Sequence, residues 1–206
     1  RARRLAKARK AHAKIEERRD DQAAEQRRKE ERKDHDPARA SLSDPEARIM
    51  KMGDGSYRPA YNVQIKTTAD GAHVIGVSVT DRGADYGLLT PALDEIQQRY
   101  DVTPQRVLAD GGYFSKTDIE RLHARGVELF CPLPRNGRGD PSQPKRGDGP
   151  GTIAWRQRMT AEPAQAIYRR RFATERPHAH MRNHGLRRLL VRGIDKVKAV
   201  VLWHVH

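Results

Sequence analysis

Asp110 closes a short apolar run, Arg106-Val107-Leu108-Ala109, and is followed at once by Gly111-Gly112. Ligand and metal sites in open α/β sheets collect where strands end, and two glycines leave the preceding carboxylate unobstructed. Asp-Gly is also the commonest turn pair, so Asp110 taken alone reads better as a turn or cap residue. Glu175 is more informative because of its neighbours. Tyr168, Arg171, Glu175 and Arg182 are spaced at 0, 3, 7 and 14, and at about 100° per residue they share a sector of about 60° on one helix. A carboxylate coordinates a hard cation, and guanidiniums grip phosphate through paired hydrogen bonds. The competing reading is a salt-bridged surface face, common in a chain this charged.

His178, His180 and His184 lie close by in sequence. His180 and His184 are four apart, as a shared ligand pair would be, but no glutamate stands between them as in a zincin motif. Cys131 is the single cysteine, so a zinc site built on cysteines is excluded within one chain. A zinc reading is therefore set aside in favour of phosphate contact or solvent.

The elements that must position these residues follow from periodicity and punctuation. Residues 1–36 are rich in Ala, Lys, Arg, Glu and Gln, with no Gly or Pro before Pro37. They are expected to form a charged helical arm, over residues 1–40, with no apolar stripe to bury. Residues 37–60 hold Pro37, Pro45, Gly53, Gly55 and Pro59 and are read as a connector. Tyr61–Thr67 alternates with period two, Asp70-Gly71 signals a hairpin turn, and Val74–Thr80 is the returning strand. Residues 86–99 carry Leu88, Leu89, Leu93 and Ile96 at helical spacing. Arg106–Ala109 and Val127–Cys131 are short buried strands, separated by a helix that Ser115 caps and Gly126 ends. Residues 135–151 read as a flexible basic loop. One long helix is expected from Pro163 to His184, ended by Gly185, and a last one from Ile194 with Val197, Val200, Val201 and Trp203. The fold class is α/β: a mixed sheet with flanking helices.

The formal net charge is +14 and the isoelectric point about 10.3, the footprint of a nucleic-acid partner. No apolar run approaches the ~20 residues a membrane span needs, and Arg-Ala-Arg-Arg-Leu-Ala-Lys at the start is no secretory signal. One cysteine suits a reducing compartment, and a cytoplasmic, nucleoid-associated place is expected. The sequence opens without Met and stops inside an apolar-periodic helix, so it is expected to be the carboxy-terminal part of a longer chain.

Tyr168-Arg169-Arg170-Arg171-Phe172-Ala173-Thr174-Glu175, followed by Arg182, resembles the Y-(2)-R-(3)-E-(6)-K signature of insertion-sequence DDE transposases, with Arg182 in place of the final Lys. Val107–Ser115 resembles that family's strand-Ala-Asp-x-Gly-Tyr motif. Ser43–Arg48, Tyr61-Asn62-Val63-Gln64, Gly185–Arg188, Val191-Arg192-Gly193 and Trp203-His204 resemble further segments, so the likeness spans roughly 41–206. The resemblance implies a ribonuclease-H-like catalytic domain over 41–206, with Asp110 and Glu175 as the second and third catalytic and metal-binding acids. Tyr168, Arg171 and Arg182 are then DNA-binding. It implies Mg2+, with Mn2+ as a substitute, in metal-dependent strand cleavage and strand transfer on double-stranded DNA, both transposon ends and target. An intact relative is expected to act as a homodimer. The first catalytic Asp lies on an earlier strand in such relatives, within an Asp-Gly-Thr-like stretch, and neither Asp44 nor Asp70 lies in a buried strand. That strand is therefore expected to be missing here and the chain alone inactive. The alternative is a non-catalytic DNA-binding remnant; a charged-helix structural protein is a third reading that the ordered motifs disfavour.

Overall fold

A computed structural model describes residues 2–26, 40–71, 73–134, 140–186 and 188–205, with side chains of the first helix described through residue 21. Residues 27–39 of the expected arm and connector, residues 135–139 of the basic loop and Arg187 of the tail lie outside the described residues. The chain is α/β and forms two compact units, one from Arg1–Gln64, Val79–Gly83 and Arg188–Trp203, the other from Ile65–Ser78, Ala84–Arg187 and His204–His206.

The first unit begins with α1 (Ala2–Gln26), the expected charged helix. Contrary to expectation, it does bury a face. Ala11 and Arg18 are buried and Lys14 and Ile15 half-buried, at helical spacing. Arg18 replaces the missing apolar stripe with polar anchors: its Nη2 donates to the Ala47 carbonyl at 3.0 Å and lies 3.2 Å from Asp81 Oδ2. Lys10 pairs with Glu46. The segment read as a connector contains two strands, β1 (Arg48–Lys51) and β2 (Tyr57–Ala60), paired antiparallel with Arg48 opposite Ala60 and Lys51 opposite Tyr57. Both strands are edges of a two-stranded sheet, which is where Pro59 is tolerated. The turn between them closes by Met52 N donating to Ser56 O at 2.8 Å. The Tyr61 hydroxyl donates to Asp44 Oδ1 at 2.7 Å and accepts from Gly193 N at 3.1 Å. Glu46 accepts from Ile194 N at 2.7 Å, the first residue of α7 (Ile194–Val205), which buries Val197 and Val201.

β3 (Asn62–Thr67) and β4 (Val74–Thr80) pair with each other. Their short connection demands an antiparallel hairpin, and Gly71 takes φ +68° in its turn. In the second unit, α2 (Leu89–Tyr100) buries Leu89, Leu93 and Ile96. It starts later than the apolar spacing suggests, just beyond Gly87 at φ +77°. β5 (Arg106–Leu108) and β6 (Glu128–Phe130) are parallel, Val107 opposite Leu129, and α3 (Lys116–Ala124) is the crossover between them. Ser115 caps α3 by accepting from Asp118 N, as expected, and Asp118 accepts from Thr90 Oγ1 at 2.6 Å.

Parallel and antiparallel pairing thus both occur, but among the described residues in three two-stranded sheets instead of the single mixed sheet expected. The core of the second unit gathers Leu93, Ile119, Leu122, Leu129, Phe130 and Trp155. Trp155 comes from α4 (Pro150–Thr160), a helix the Gly-Pro-Gly composition concealed. Pro150 occupies its first turn, where a missing N–H costs nothing. Glu120 of α3 caps it, accepting from Gly151 N at 2.9 Å and Thr152 N at 2.7 Å. Gly151 permits that approach, since a Cβ there would fall 2.7 Å from the His123 Cβ.

The later part of the basic loop is not free either. The Asp148 side chain is fully buried between Lys116 Nζ at 2.7 Å and Arg156 Nε at 2.6 Å. Burial opposes its charge, yet the hydrogen bonds from Lys116, Arg156 and the Lys145 amide hold its carboxyl down at about 2.

Candidate functional site

Asp110 follows β5 directly. Ala109 is buried and its N–H donates to Phe130 O at 2.9 Å, which extends the parallel pairing to the residue before the acid. The Cys131 thiol donates to the Asp110 carbonyl at 3.2 Å, and Trp155 Nε1 donates to the Cys131 carbonyl at 3.1 Å. Burial first, and the Asp110 charge second, push that thiol up to about 12. The backbone of Asp110 is therefore pinned from the core while its side chain is exposed. Asp110 Oδ1 accepts from Gly111 N at 2.8 Å and so caps a one-turn 3-10 helix, Gly111–Tyr113. The turn-capping role and an outward-facing carboxylate coexist.

The two glycines after Asp110 differ. A Cβ on Gly111 would meet Pro132 at an ordinary 3.5 Å, whereas one on Gly112 would lie 3.0 Å from Asp85 Oδ2. Gly112 therefore makes room for a second carboxylate on the turn that Asp110 caps. The sequence gives no signal for Asp85, which stands in a loop 25 residues upstream with no motif around it. Both acids act on the Tyr113 phenol, whose pKa is raised by burial first and then by the charges of Asp85 and Asp110.

The expected long helix is instead three pieces: α5 (Glu162–Arg169), a 3-10 segment (Arg170–Thr174) and α6 (Glu175–Asn183). Pro177 explains the break. It has no N–H to return to the Ala173 carbonyl, and its ring would crowd that oxygen in a continuous α-helix. A 3-10 step turns about 120° instead of about 100°, so the common sector computed for an unbroken helix does not apply. Contacts keep three of the four residues together all the same. The Arg171 guanidinium carbon lies 5.7 Å from the Tyr168 ring centre, and Arg171 Nη1 lies 3.8 Å from Glu175 Oε1. Glu175 opens α6 and is exposed; it shares an open cleft with His178, Met181, Arg182 and Leu186. Arg182 makes no ion pair among the described residues. The Tyr168 phenol has its pKa raised by burial, against the Arg171 charge and with that of Asp110. Tyr168 is thus within electrostatic reach of Asp110 and in contact with the residue that holds Glu175.

The His180 and His184 rings lie against each other, tilted by 39°, with centroids 4.1 Å apart. Among the described residues, no three His, Cys, Asp or Glu side chains converge as a metal-binding group. The donors on offer at Asp110, Asp85 and Glu175 are all carboxylate oxygens. Such donors suit a hard cation that keeps much of its water and borrows ligands from a phosphate substrate. No helix among the described residues is long and apolar enough to cross a membrane.

The family model for the transposase DDE domain matches residues 20–206. No curated protein and no solved structure matches the chain.

Proposed function

The chain belongs to the transposase DDE domain family, and from that membership we propose that it serves metal-dependent cleavage and strand transfer of double-stranded DNA, with Asp110 and Glu175 as two of the cation-binding carboxylates. In this reading residues 41–206 are a ribonuclease-H-like catalytic domain, residues 1–40 a charged helical insertion, and the working enzyme a homodimer on transposon ends and target. Magnesium, or manganese in its place, would stabilise charge on the attacking and leaving oxygens of an in-line displacement at phosphorus. The observation that carries the reading is Arg171, which touches the Tyr168 ring and Glu175 at once. A guanidinium fixed by an aromatic face and a carboxylate is oriented to meet a phosphate beside the cation. Arg182, in the Glu175 cleft, offers a second fork; as an arginine it matches two phosphate oxygens where a lysine would supply a point charge.

In the first reading neither Asp44 nor Asp70 serves as the first acid of the triad. Asp44 is taken by the Tyr61 hydroxyl, and Asp70 accepts from Thr68 Oγ1 within an exposed turn. On that reading the chain by itself binds duplex DNA without nicking it. A second reading rests on Asp85, which stands against the Asp110 turn and would supply the third carboxylate. A supercoiled-plasmid assay with magnesium, then manganese, separates them. Metal-dependent nicking lost in Asp110→Ala, Glu175→Ala and Asp85→Ala establishes the second. Binding without nicking upholds the first, and no binding to duplex DNA at all defeats both.

A further inference from the structure

The β3–β4 turn and the 3-10 segment meet at one point. A Cβ on Gly71 would lie 2.2 Å from the Ala173 carbonyl oxygen and 2.6 Å from its carbon, a backbone clash that no side chain could relieve. Gly71 is therefore required twice, by its φ of +68° and by this contact. The Ala173 carbonyl is also the one that Pro177 cannot serve. The break in the helix and the glycine in the turn fit each other.

Beside that contact lies an open cleft whose rim carries Arg169, Arg170 and Arg176 from one side and Thr68 and Asp70 from the other. All three arginines are exposed, and among the described residues none pairs with a carboxylate. The one acid on the rim, Asp70, accepts from the Thr68 hydroxyl at 2.5 Å. Three guanidiniums facing one carboxylate leave an excess of positive charge in a concave site. Arg171, by contrast, is half-buried and does not line this cleft.

We propose that this cleft is a subsite for the phosphodiester backbone of DNA, distinct from the cleft of Glu175 and Arg182. The inference rests on the reading of the chain as a DNA-binding enzyme and adds where a stretch of backbone is gripped. Three forks with no carboxylate partner among the described residues match phosphate oxygens two at a time, and a cleft held open by a backbone contact loses little entropy on binding. The Gly71–Ala173 contact sets its width.

The test is fluorescence anisotropy on a mixed-sequence duplex across a salt series, with Arg169→Ala, Arg170→Ala and Arg176→Ala compared with Arg121→Ala. Arg121 is exposed on α3, and its substitution removes the same charge away from the cleft. Each cleft variant is expected to lower the log–log salt slope by about 0.9 for every phosphate it no longer neutralises, and the triple variant by roughly 2 to 3. Arg121→Ala should leave the slope unchanged. Gly71→Ala should reduce it without any change of charge, while Gly53→Ala, where a Cβ meets nothing within 4 Å, should not; thermal melting establishes that both fold. Should Gly71→Ala not fold, the arginine variants decide alone. Equal losses in Arg121→Ala and the cleft variants, or a wild-type slope in the triple variant, overturn the subsite while the DNA-binding reading stands. A wild-type chain with no salt-dependent affinity for duplex overturns both.

Discussion

The Arg171 guanidinium lies 3.8 Å from the Glu175 carboxylate, one turn apart across a junction between 3-10 and α-helix. Glu175 is more than half exposed, so the pair contributes little to stability; its consequence is orientation. Arg171→Ala should weaken duplex binding and lower the salt slope by about 0.9 if Arg171 meets one phosphate. Arg171→Lys keeps the charge and gives up the planar contact with Tyr168. It should hold the slope and lose affinity by a factor of a few, in line with a cation–π contact of about 0.5–1 kcal/mol. Anisotropy titrations of both variants decide this: if the alanine variant keeps the wild-type slope, Arg171 is not a phosphate contact.

The Asp148 clamp makes a prediction about pH. Its carboxyl is depressed in the folded state, from 3.8 to about 2. The stability it contributes is complete above about pH 3.8 and is lost as pH falls through about 2. Asp148→Asn leaves Arg156 buried beside a neutral amide and should destabilise by about 3 kcal/mol at neutral pH. Urea midpoints of wild type and variant should therefore differ most at neutral pH and converge between about pH 4 and pH 2. A gap that stays constant through that window would show that the Asp148 charge contributes nothing.

The features legible in the sequence are local ones. Ser115 three residues before Asp118, Gly126 after α3, and the apolar run ending at Asp110 each depend on neighbours within one turn or strand. Tyr168, Arg171 and Glu175 stand out for the same reason: their contacts span three or four residues. What the sequence conceals depends on partners distant along the chain. The α4 helix hides in Gly-Pro-Gly because its cap, Glu120, comes from α3. The buried face of α1 hides because Arg18 donates to the Ala47 carbonyl and pairs with the Asp81 carboxylate. β1 and β2 hide among Pro and Gly because only their mutual register makes them strands. The break at Arg170–Thr174 is different: Pro177 stands in plain view, and a proline inside a helical pattern calls for a kink or break at its own carbonyl partner.

Cys131 should behave as a buried thiol, not a nucleophile. With its ionisation pushed up to about 12 and its side chain fully enclosed, the thiolate is negligible near neutral pH. Iodoacetamide labelling of the native protein should be far slower than in urea and should track global unfolding. Fast native labelling would mean that the Trp155–Cys131–Asp110 bracing opens locally. Cys131→Ala removes the bond to the Asp110 carbonyl and should cost about 1 kcal/mol, read from the urea midpoint.

The turn after Asp110 yields the sharpest comparison, because its two glycines predict opposite outcomes. Tyr113 feels both Asp85 and Asp110, so a lanthanide held by those carboxylates would lie near a sensitising phenol. Terbium is a suitable probe, since it accepts carboxylate oxygens as hard divalent cations do. Wild-type protein should give terbium emission on excitation of tyrosine, competed away by magnesium or manganese. Asp110→Asn should abolish it, and Asp85→Asn should weaken it if Asp85 belongs to the site. Gly112→Ala places a Cβ 3.0 Å from Asp85 Oδ2 and should weaken emission as Asp85→Asn does. Gly111→Ala meets Pro132 at only 3.5 Å and should leave it intact. Melting temperatures of the two alanine variants guard against a trivial loss of fold. Equal emission from wild type, Asp85→Asn and Gly112→Ala would remove Asp85 from the site.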